Sequence, residues 1–235
     1  MLNKVKRKII TTADGSTTIH LPDWNEQYHS KHGAIQEAYH VFINTGLHHF
    51  ISHKSISEIE SESKVDISIL EIGLGTGLNA FITLLEAEKL KLNINYVGIE
   101  GYPVPMEEVE QLNYTSELKV EDKSHVFLKL HELPWGTPCE INQNFSLTKE
   151  HKMFDTIMYE DTFHLIYFDA FGARVQPELW TTVIFENMYT ALKKGGVLVT
   201  YAARGSVRRA MQAVGFSVEK LPGPPGKREM LRATK

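Results

Sequence analysis

One stretch of this chain, residues 68–77, restricts what the sequence can fold into more than any other. Ile69, Leu70 and Ile72 form a short apolar run typical of a strand that is buried on both faces. Glycine then stands at positions 73, 75 and 77, and residues 78–90 have the pattern of a helix. A strand that enters a helix through glycines exposes backbone N–H groups and the positive helix end to a ligand. The stretch therefore predicts a nucleoside-type ligand site, the alternative being a glycine turn kept only for tight packing.

The rest of the chain alternates strands with helices. We expect strands at residues 67–72, 95–100, 144–151, 164–169 and 197–203, helices at residues 78–90, 178–192 and 207–214, and a C-terminal hairpin at residues 216–221 and 229–233. This order predicts an α/β fold with a mostly parallel, seven-stranded sheet that ends in an antiparallel hairpin.

The N-terminal residues have a different pattern. Asp14-Gly15 between two β-rich runs predicts a hairpin, and residues 34–50 have helical periodicity. We therefore divide the chain into an N-terminal hairpin and helix extension, residues 1–63, and a main domain, residues 64–235.

Composition and single-residue counts exclude several classes of protein. The chain has 235 residues, of which 42% are hydrophobic and 23% charged, as in ordinary globular proteins. No apolar run approaches the roughly 20 residues that span a bilayer, and no signal peptide is recognisable. The lone Cys139 excludes an internal disulfide, and the histidines lack metal-ligand spacing, so we expect no metal. We expect a monomer in the cytoplasm, with no membrane contact.

The spacing of the glycine motif separates two ligand classes. The dinucleotide fingerprint G-x-G-x-x-G requires a third glycine where this chain has Leu78, and it has no role for an acid at position 71. Glu-x-Gly-x-Gly-x-Gly is similar instead to the first motif of S-adenosylmethionine-dependent methyltransferases, whose ligand carries a cationic sulfonium. The resemblance implies S-adenosylmethionine as cofactor and a class I, Rossmann-like methyltransferase fold. The cofactor-binding residues that it implies are Glu71, Gly73, Gly75, Gly77 and Asn79.

Three acids fall at the carboxyl ends of predicted strands, where ligands bind in open α/β sheets. Glu71 lies inside an apolar run, and Glu100 follows the glycine loop by roughly the ~20 residues at which an acid meets ribose hydroxyls. Asp169 ends the fourth predicted core strand and is followed by Ala170 and Phe171. We expect Glu100 and Asp169 in the cofactor site, and Asp169 and Phe171 in the catalytic site. Asp169 would hold a substrate amine, and Phe171 would face a sulfonium or a base.

Positive charge is concentrated near the C-terminus. Residues 204–235 contain eight Lys or Arg against two Glu, although the net charge of the chain is −4. One basic face on a mildly acidic body is a possible footprint for nucleic-acid phosphates, the alternative being a solvated surface. The residues that we expect to contact phosphates are Arg208, Arg209, Lys227 and Arg228.

Several segments together resemble one family, the methyltransferase domain of the bifunctional tRNA-modifying MnmC proteins. They are Leu70-Glu-Ile-Gly-Leu-Gly-Thr-Gly-Leu-Asn79, Asp169-Ala-Phe, Gln176-Pro-Glu-Leu-Trp-Thr181 and Val207-Arg-Arg-Ala-Met, with Gly226-Lys-Arg-Glu-Met-Leu231 and an early segment that contains Tyr28, His29 and Glu37. The resemblance covers the chain from about residue 20 onward. In two places the chain departs from the family: Gly172-Ala173 follow Phe171 where proline is frequent, and Lys152-Met153 stand where an acid near the adenine is frequent.

The resemblance implies methylation of 5-aminomethyl-2-thiouridine to 5-methylaminomethyl-2-thiouridine at the wobble position of the tRNA anticodon loop. We expect Tyr28, His29 and Glu37, in the N-terminal segment, to cap the substrate pocket. In the bifunctional proteins an FAD-dependent oxidase domain supplies the aminomethyl group. We expect this chain to act without FAD, beside a separate oxidase.

Other functions are compatible with parts of the pattern. A spermidine-synthase-like aminopropyltransferase, or a methyltransferase for another amine, would share the fold. A nicotinamide-dependent oxidoreductase is disfavoured by Leu78, and a non-catalytic RNA-binding module is disfavoured by the intact acids Glu71, Glu100 and Asp169.

Overall fold

Two sheets are present in the structure, a computed structural model that describes residues 6–53 and 65–235. The strands are β1 Lys8–Thr11, β2 Thr17–Leu21, β3 Glu26–Gln27, β4 Asp66–Ile72, β5 Asn93–Glu100, β6 Cys139–Asn142, β7 Phe145–His151, β8 Phe163–Phe168, β9 Leu192–Thr200, β10 Ser217–Pro222 and β11 Glu229–Thr234. Strands β1 to β3 form a small sheet, and the other eight form the main sheet in the order β10-β11-β9-β8-β4-β5-β7-β6.

The main sheet has the predicted α/β class. Strands β7, β5, β4, β8 and β9 are parallel neighbours, and β11 is antiparallel to both β9 and β10. Because β11 lies between β9 and β10, the edge strand β10 runs parallel to the central strands. The sheet has eight strands rather than the seven predicted, because β6 turns back and pairs antiparallel with β7. None of its four residues is fully buried, and an apolar–polar alternation over only four residues is too short to mark a strand.

Helices cover both faces of the main sheet. They are α1 Ala34–Ala38, α2 His49–Ser52, α3 Leu78–Leu90, α4 Met106–Val109, α5 Tyr114–Glu117, α6 Ser124–Glu132, α7 Thr182–Ala191 and α8 Gly205–Ala213. A ten-residue π-helical segment, Tyr39–His48, joins α1 to α2 within the predicted helix. The helix predicted at residues 178–192 is wrong at its start: a 3₁₀ turn, Pro177–Trp180, comes before α7, because Thr181 is extended (φ −94°, ψ 163°).

Burial of the central strand β4 on both faces explains the short apolar run in the sequence. Ile67 and Ile69 face a core that includes α3 and the π-helical segment, whereas Leu70 and Ile72 face a core that includes α7 and α8. Successive side chains of a strand point to opposite faces, so a strand buried on both sides carries apolar residues on both, and buried Glu71 is the exception in β4.

The N-terminal hairpin is confirmed for the described residues: β1 pairs antiparallel with β2, and Gly15 in the turn has φ +89°. The domain boundary predicted between residues 63 and 64 lies outside the described residues. Within residues 6–53 and 65–235, no helix is both long and apolar enough to cross a bilayer.

Candidate cofactor and substrate site

The glycine loop between β4 and α3 approaches the end of β8 closely. Gly73 has φ +91°, and a Cβ built on it would lie 2.8 Å from the carbonyl oxygen of Asp169. A Cβ on Gly75 (φ +50°) would lie 2.9 Å from the ring of Tyr28. The order of the strands reverses between β4 and β8, the point at which open α/β sheets bind ligands. The glycines therefore leave backbone, rather than side chains, at the head of the sheet.

A first cavity of about 400 Å³ opens beside this loop. Gly73, Gly75 and Glu100 form one side of it, and Asp169 and Phe171 form another. Further lining residues are Leu74, Gly101, Tyr102, Met153, Phe154, Asp155, Gln176, Glu178, Leu179, Thr181, Val183 and Ile184. Its volume is in the range of small-molecule and cofactor pockets.

A second cavity of about 600 Å³ lies between the N-terminal segment and the C-terminal hairpin. Its lining includes residues 26–32, Glu37, Tyr201, Arg204 and the hairpin turn at residues 226–229. Five residues line both cavities, and we call them the shared wall: Tyr28, His29, Asp169, Ala170 and Phe171. Two ligands, one in each cavity, would therefore meet at Asp169 and Phe171.

Behind the shared wall, one amide joins two buried carboxyl groups. Asn79 Nδ2 donates at 2.8 Å to Glu71 Oε1 and at 2.8 Å to Asp169 Oδ2. Tyr96 O–H donates to the other oxygen of Glu71 at 2.8 Å. Burial raises the pKa of Asp169 to about 7, with the charge of Glu37 adding to the shift and the Asn79 hydrogen bond opposing it. Burial also raises the pKa of Glu71 well above its usual range.

Glu100 lies at the end of β5 in the first cavity, as predicted for an acid near ribose. Its Oε2 accepts a hydrogen bond from the Gly75 N–H at 3.0 Å, and its Oε1 accepts one from Tyr102 N–H at 2.7 Å. Burial raises the pKa of Glu100, while these backbone donors lower it. Each carboxylate oxygen has two lone pairs, so both oxygens keep capacity for a ligand hydroxyl.

The ring of Phe171 is held by aromatic neighbours. It makes edge-to-face contacts with Tyr28, at a centroid distance of 5.0 Å, and with Trp24, at 5.9 Å. The indole N–H of Trp180 donates to the Phe171 carbonyl at 2.8 Å, and Tyr201 O–H donates to the Ala170 carbonyl at 2.8 Å. The segment after Asp169 is therefore fixed by side chains from the N-terminal region, the 3₁₀ turn and the end of β9.

In the second cavity, Lys227 is engaged inside the protein. Its ammonium forms a salt bridge with buried Glu37 and lies 3.7 Å from the centroid of the Tyr201 ring. Glu37 also accepts a hydrogen bond from Ser30 N–H at 2.7 Å. This contact joins the C-terminal hairpin to α1 across the mouth of the cavity.

The structure separates the predicted site residues into groups. Lining a cavity are Gly73, Gly75, Glu100, Asp169, Phe171, Tyr28, His29, Glu37, Lys227 and Arg228. Glu71, Gly77 and Asn79 lie behind the wall, where a Cβ on Gly77 would meet the His131 ring at 2.7 Å. Arg208 and Arg209, on α8, line neither cavity.

Several lining residues could not be anticipated. Asp155, in a 3₁₀ turn at Phe154–Thr156, lies in the first cavity close to where Lys152-Met153 interrupts the family pattern. Arg204 lines the second cavity at the start of α8. Arg204 was one of the eight basic residues counted near the C-terminus, but no pattern placed it in a cavity. Asp155 carried no signal.

The charge of the site favours a cationic ligand. Glu71 and Glu100 are buried and the side chain of Asp169 is 7% exposed, and within the described residues no lysine or arginine forms a salt bridge with any of them. Buried carboxylates without a partner are costly, and a cation supplied by a ligand would offset that cost. The oxygen Asn79 Oδ1, also buried in this cluster, has no hydrogen-bond partner among residues 6–53 and 65–235. The residues present therefore fit a cofactor that carries a sulfonium. Among the described residues, no group of three or more His, Cys, Asp or Glu is arranged to hold a metal ion.

Comparison with known proteins shows which fold the chain has and which family its C-terminal part is similar to. Residues 147–235 match the model of a family described as S-adenosyl-L-methionine-dependent methyltransferase. The solved structure of MNMC2 from Aquifex aeolicus has a TM-score of 0.73 and 23% identity, covering 99% of this chain and 71% of that chain. Spermidine synthase from Thermotoga maritima has a TM-score of 0.50 and 13% identity, covering 97% of this chain and 72% of that chain. With the sheet order and the glycine loop, these likenesses show that the chain has the Rossmann-like fold of S-adenosylmethionine-dependent methyltransferases, and that its residues 147–235 are similar to that family.

Curated proteins that are similar in sequence to this chain are named as MnmC proteins. The chain is 29% identical, over 222 residues, to the tRNA 5-methylaminomethyl-2-thiouridine biosynthesis bifunctional protein MnmC of Leptospira interrogans, covering 88% of this chain and 32% of that protein. The chain thus spans about a third of the length of the curated relatives it matches. The similarity to MnmC proteins that the motifs predicted is confirmed.

Proposed function

We propose that this chain transfers a methyl group from S-adenosylmethionine to the aminomethyl group of a wobble uridine in tRNA, converting 5-aminomethyl-2-thiouridine to 5-methylaminomethyl-2-thiouridine. The observation that carries the proposal is the shared wall, where two cavities meet at Asp169 and Phe171. A donor in one cavity and an acceptor nitrogen in the other would be aligned there. The relatives are named for the biosynthesis of this modified nucleoside, which supports the substrate.

The first cavity would hold the cofactor. Glu100 would accept hydrogen bonds from the ribose hydroxyls, the backbone at Gly73 and Gly75 would allow close approach, and Asp155 would accept one from the adenine amino group. When bound, S-adenosylmethionine supplies a methyl group on a cationic sulfur, which becomes a neutral thioether as the carbon–nitrogen bond forms. The face of the Phe171 ring would stabilise that cation.

The second cavity would hold the uridine, with its amine beside Asp169. An alkylammonium has a pKa of ~10.4 in water, and only its neutral form has a lone pair for attack. A dry wall disfavours the cation and lowers that pKa. After attack the nitrogen carries an extra proton, which Asp169 would accept at Oδ1. A carboxylate with a pKa of about 7 is suited to hold a proton near neutral pH.

The tRNA phosphates would contact the rim of the second cavity. Lys31, Arg204 and Arg228 line it and form no salt bridge within the described residues, unlike Lys227. We therefore propose these three side chains as phosphate contacts, with Arg208 and Arg209 on α8 further out. Replacing Arg204 and Arg228 by Gln should reduce the slope of log K for tRNA against log salt by about 2. The matched control, Lys91→Gln with Lys194→Gln at the opposite end of the sheet, should leave the slope unchanged.

The deciding experiment measures binding and modification separately. Calorimetry with S-adenosylmethionine tests the first cavity. Nucleoside mass analysis of tRNA that carries the aminomethyl group tests transfer, and we expect the gain of one methyl group. Heat of binding without any change in tRNA would refute the substrate. Product formation only from decarboxylated S-adenosylmethionine and a diamine would establish the aminopropyltransferase instead.

The substrate amine has to be made by another activity. The relatives are described as bifunctional, and we propose that a separate FAD-dependent oxidase supplies the aminomethyl group to this chain. An enzyme with this substrate is expected to act in the cytoplasm. When the tRNA carries the carboxymethylaminomethyl precursor, we expect this chain to methylate it only if the oxidase is also added.

A further inference from the structure

A chain of three buried side chains leads from α5 to the shared wall. Tyr114 O–H donates to Thr76 Oγ1 at 3.1 Å, and Thr76 Oγ1 lies 2.8 Å from His29 Nε2. Tyr114 and Thr76 are fully buried, and His29 is 6% exposed. These residues come from three distant segments, and none of the steps proposed above uses Thr76 or Tyr114.

Counting the donors and acceptors fixes where the protons lie in this series of three hydrogen-bonded side chains. Thr76 Oγ1 accepts from Tyr114, so its own proton is available to a second partner. Within the described residues, the only other side chain that bonds to this hydroxyl is His29, through Nε2. A buried hydroxyl proton without an acceptor would be costly, so Thr76 donates and Nε2 accepts. A neutral imidazole that accepts at Nε2 carries its proton on Nδ1.

The other ring nitrogen of His29 faces the carboxylate between the cavities. His29 Nδ1 lies 3.9 Å from Asp169 Oδ2, the oxygen that also accepts from Asn79. Burial lowers the pKa of His29 to about 4, so the ring is neutral near pH 7 and this contact is not a salt bridge. Within the described residues, no hydrogen bond reaches Asp169 Oδ1. Asn79 thus donates to Oδ2, and Oδ1 of this cavity-lining residue keeps its lone pairs for a ligand.

We propose that His29 is a positioning residue, whose Nδ1–H tautomer, set by the Tyr114–Thr76 relay, turns the Asp169 carboxylate so that Oδ1 faces the substrate amine. The separation of 3.9 Å closes to a hydrogen bond when the cavities are filled, as catalytic contacts commonly tighten in the complex. The tautomer follows from the protein alone, whereas the effect on turnover rests on the proposed methyl transfer.

The tautomer is tested without any activity. Protein labelled with ¹⁵N-histidine is measured by NMR near neutral pH, and the His29 signals are identified by their loss in His29→Phe. We expect Nδ1–H in the wild type and in Thr76→Ser, which keeps the hydroxyl. The isosteric Thr76→Val removes the donor and should give a mixture of tautomers. Nε2–H in the wild type, or an unchanged spectrum in Thr76→Val, would overturn the relay.

The positioning role is tested by kinetics. Thr76→Val and the milder Tyr114→Phe should lower kcat for tRNA methylation by about tenfold to hundredfold, the loss expected for a hydrogen bond to a charged group. KM for tRNA and Kd for S-adenosylmethionine should change less than about twofold, since neither ligand is bound by these hydroxyls. Thr76→Ser should recover most of kcat.

The outcomes separate the two proposals. Wild-type protein with the Nδ1–H tautomer but no methylation of tRNA would refute the proposed function and leave the relay standing. Active protein in which folded Thr76→Val and Tyr114→Phe both keep wild-type kcat would refute the positioning role and leave the function standing.

Discussion

The side-chain amide of Asn79 donates a hydrogen bond of 2.8 Å to Asp169, and so ties the helix that follows the glycine loop to the carboxylate between the cavities. The same nitrogen donates to Glu71. A neutral amide in this place separates two buried carboxyl groups that would otherwise repel each other. The cofactor side and the substrate side of the site are therefore coupled through one residue.

Replacing that amide by a third carboxyl group should destabilise the protein. Asn79→Asp would put three acids together without a cation, and we expect the free energy of unfolding to fall by about 3 kcal/mol. Urea denaturation near neutral pH measures the loss. The control is Asn95→Asp on the exposed face of β5, which should change stability by less than about 0.5 kcal/mol. Equal effects of the two substitutions would contradict the coupling.

Binding of S-adenosylmethionine should strengthen as the pH rises from about 5.5 to about 7. Asp169 has a pKa of about 7 in the ligand-free protein, so below that pH it is protonated and lacks the charge that attracts a sulfonium. Its raised pKa means that the cation must displace a proton, which costs up to about tenfold in affinity per pH unit below 7. Lys227 and Glu37 act on the same pKa with opposite signs.

S-adenosylhomocysteine is the matched ligand for this titration, because it lacks the methyl group and the sulfonium charge. Its affinity should depend less on pH over the same range, and calorimetry at several pH values compares the two ligands. Asp169→Asn should remove most of the difference between them. If the affinities of the two ligands changed equally with pH in the wild type, the charge of Asp169 would not contribute to binding of the sulfonium.

Substitutions in the glycine loop can separate two effects of adding a Cβ atom: the lack of space for it and the strain of a positive φ. Gly73→Ala combines a positive φ with a Cβ placed 2.8 Å from the Asp169 carbonyl, whereas Gly136→Ala has a similar φ of +75° and no atom within 4 Å. We expect Gly136→Ala to cost about 1 kcal/mol of stability and leave cofactor binding unchanged. Gly73→Ala should cost more and weaken S-adenosylmethionine by at least about tenfold, measured by calorimetry. Similar losses of stability and of cofactor affinity in both variants would mean that backbone strain alone, and not the lack of space, causes them.

Much of this site was readable from the sequence, because its signals are local. The apolar run, the alternate glycines and the helix from Leu78 to Leu90 lie next to one another in the chain. The acids Glu100 and Asp169 end strands, and parallel strands bring such ends to one edge of the sheet. Local periodicity and topology were therefore sufficient to place the cavity.

The rest depends on contacts between distant segments, for which no spacing exists in the sequence. His29 reaches Thr76 across 47 positions, and Lys227 reaches Glu37 across 190. Asp155 lies in an irregular turn that carries neither strand nor helix periodicity. Residues such as these become part of a site only when the sheet has brought their segments together.

The ring of Phe171 should distinguish the charged cofactor from its neutral product. Its contacts with Tyr28 and Trp24 hold it on the wall of the first cavity, where a sulfonium would be attracted to the aromatic face. Phe171→Leu keeps an apolar side chain but removes the π system. We expect S-adenosylmethionine to be weakened about fivefold relative to S-adenosylhomocysteine, from the ~1 kcal/mol typical of such contacts.

The ratio of the two dissociation constants is the measured quantity, because a general loss of packing would weaken both ligands alike. Phe216→Leu is the control: this ring packs on Tyr189 in the core behind α7, outside both cavities. It should lower the melting temperature without changing the ratio. A ratio unchanged in Phe171→Leu would exclude the aromatic face as the group that recognises the sulfonium and leave that task to carboxylates that line the same cavity, such as Asp169 and Glu100.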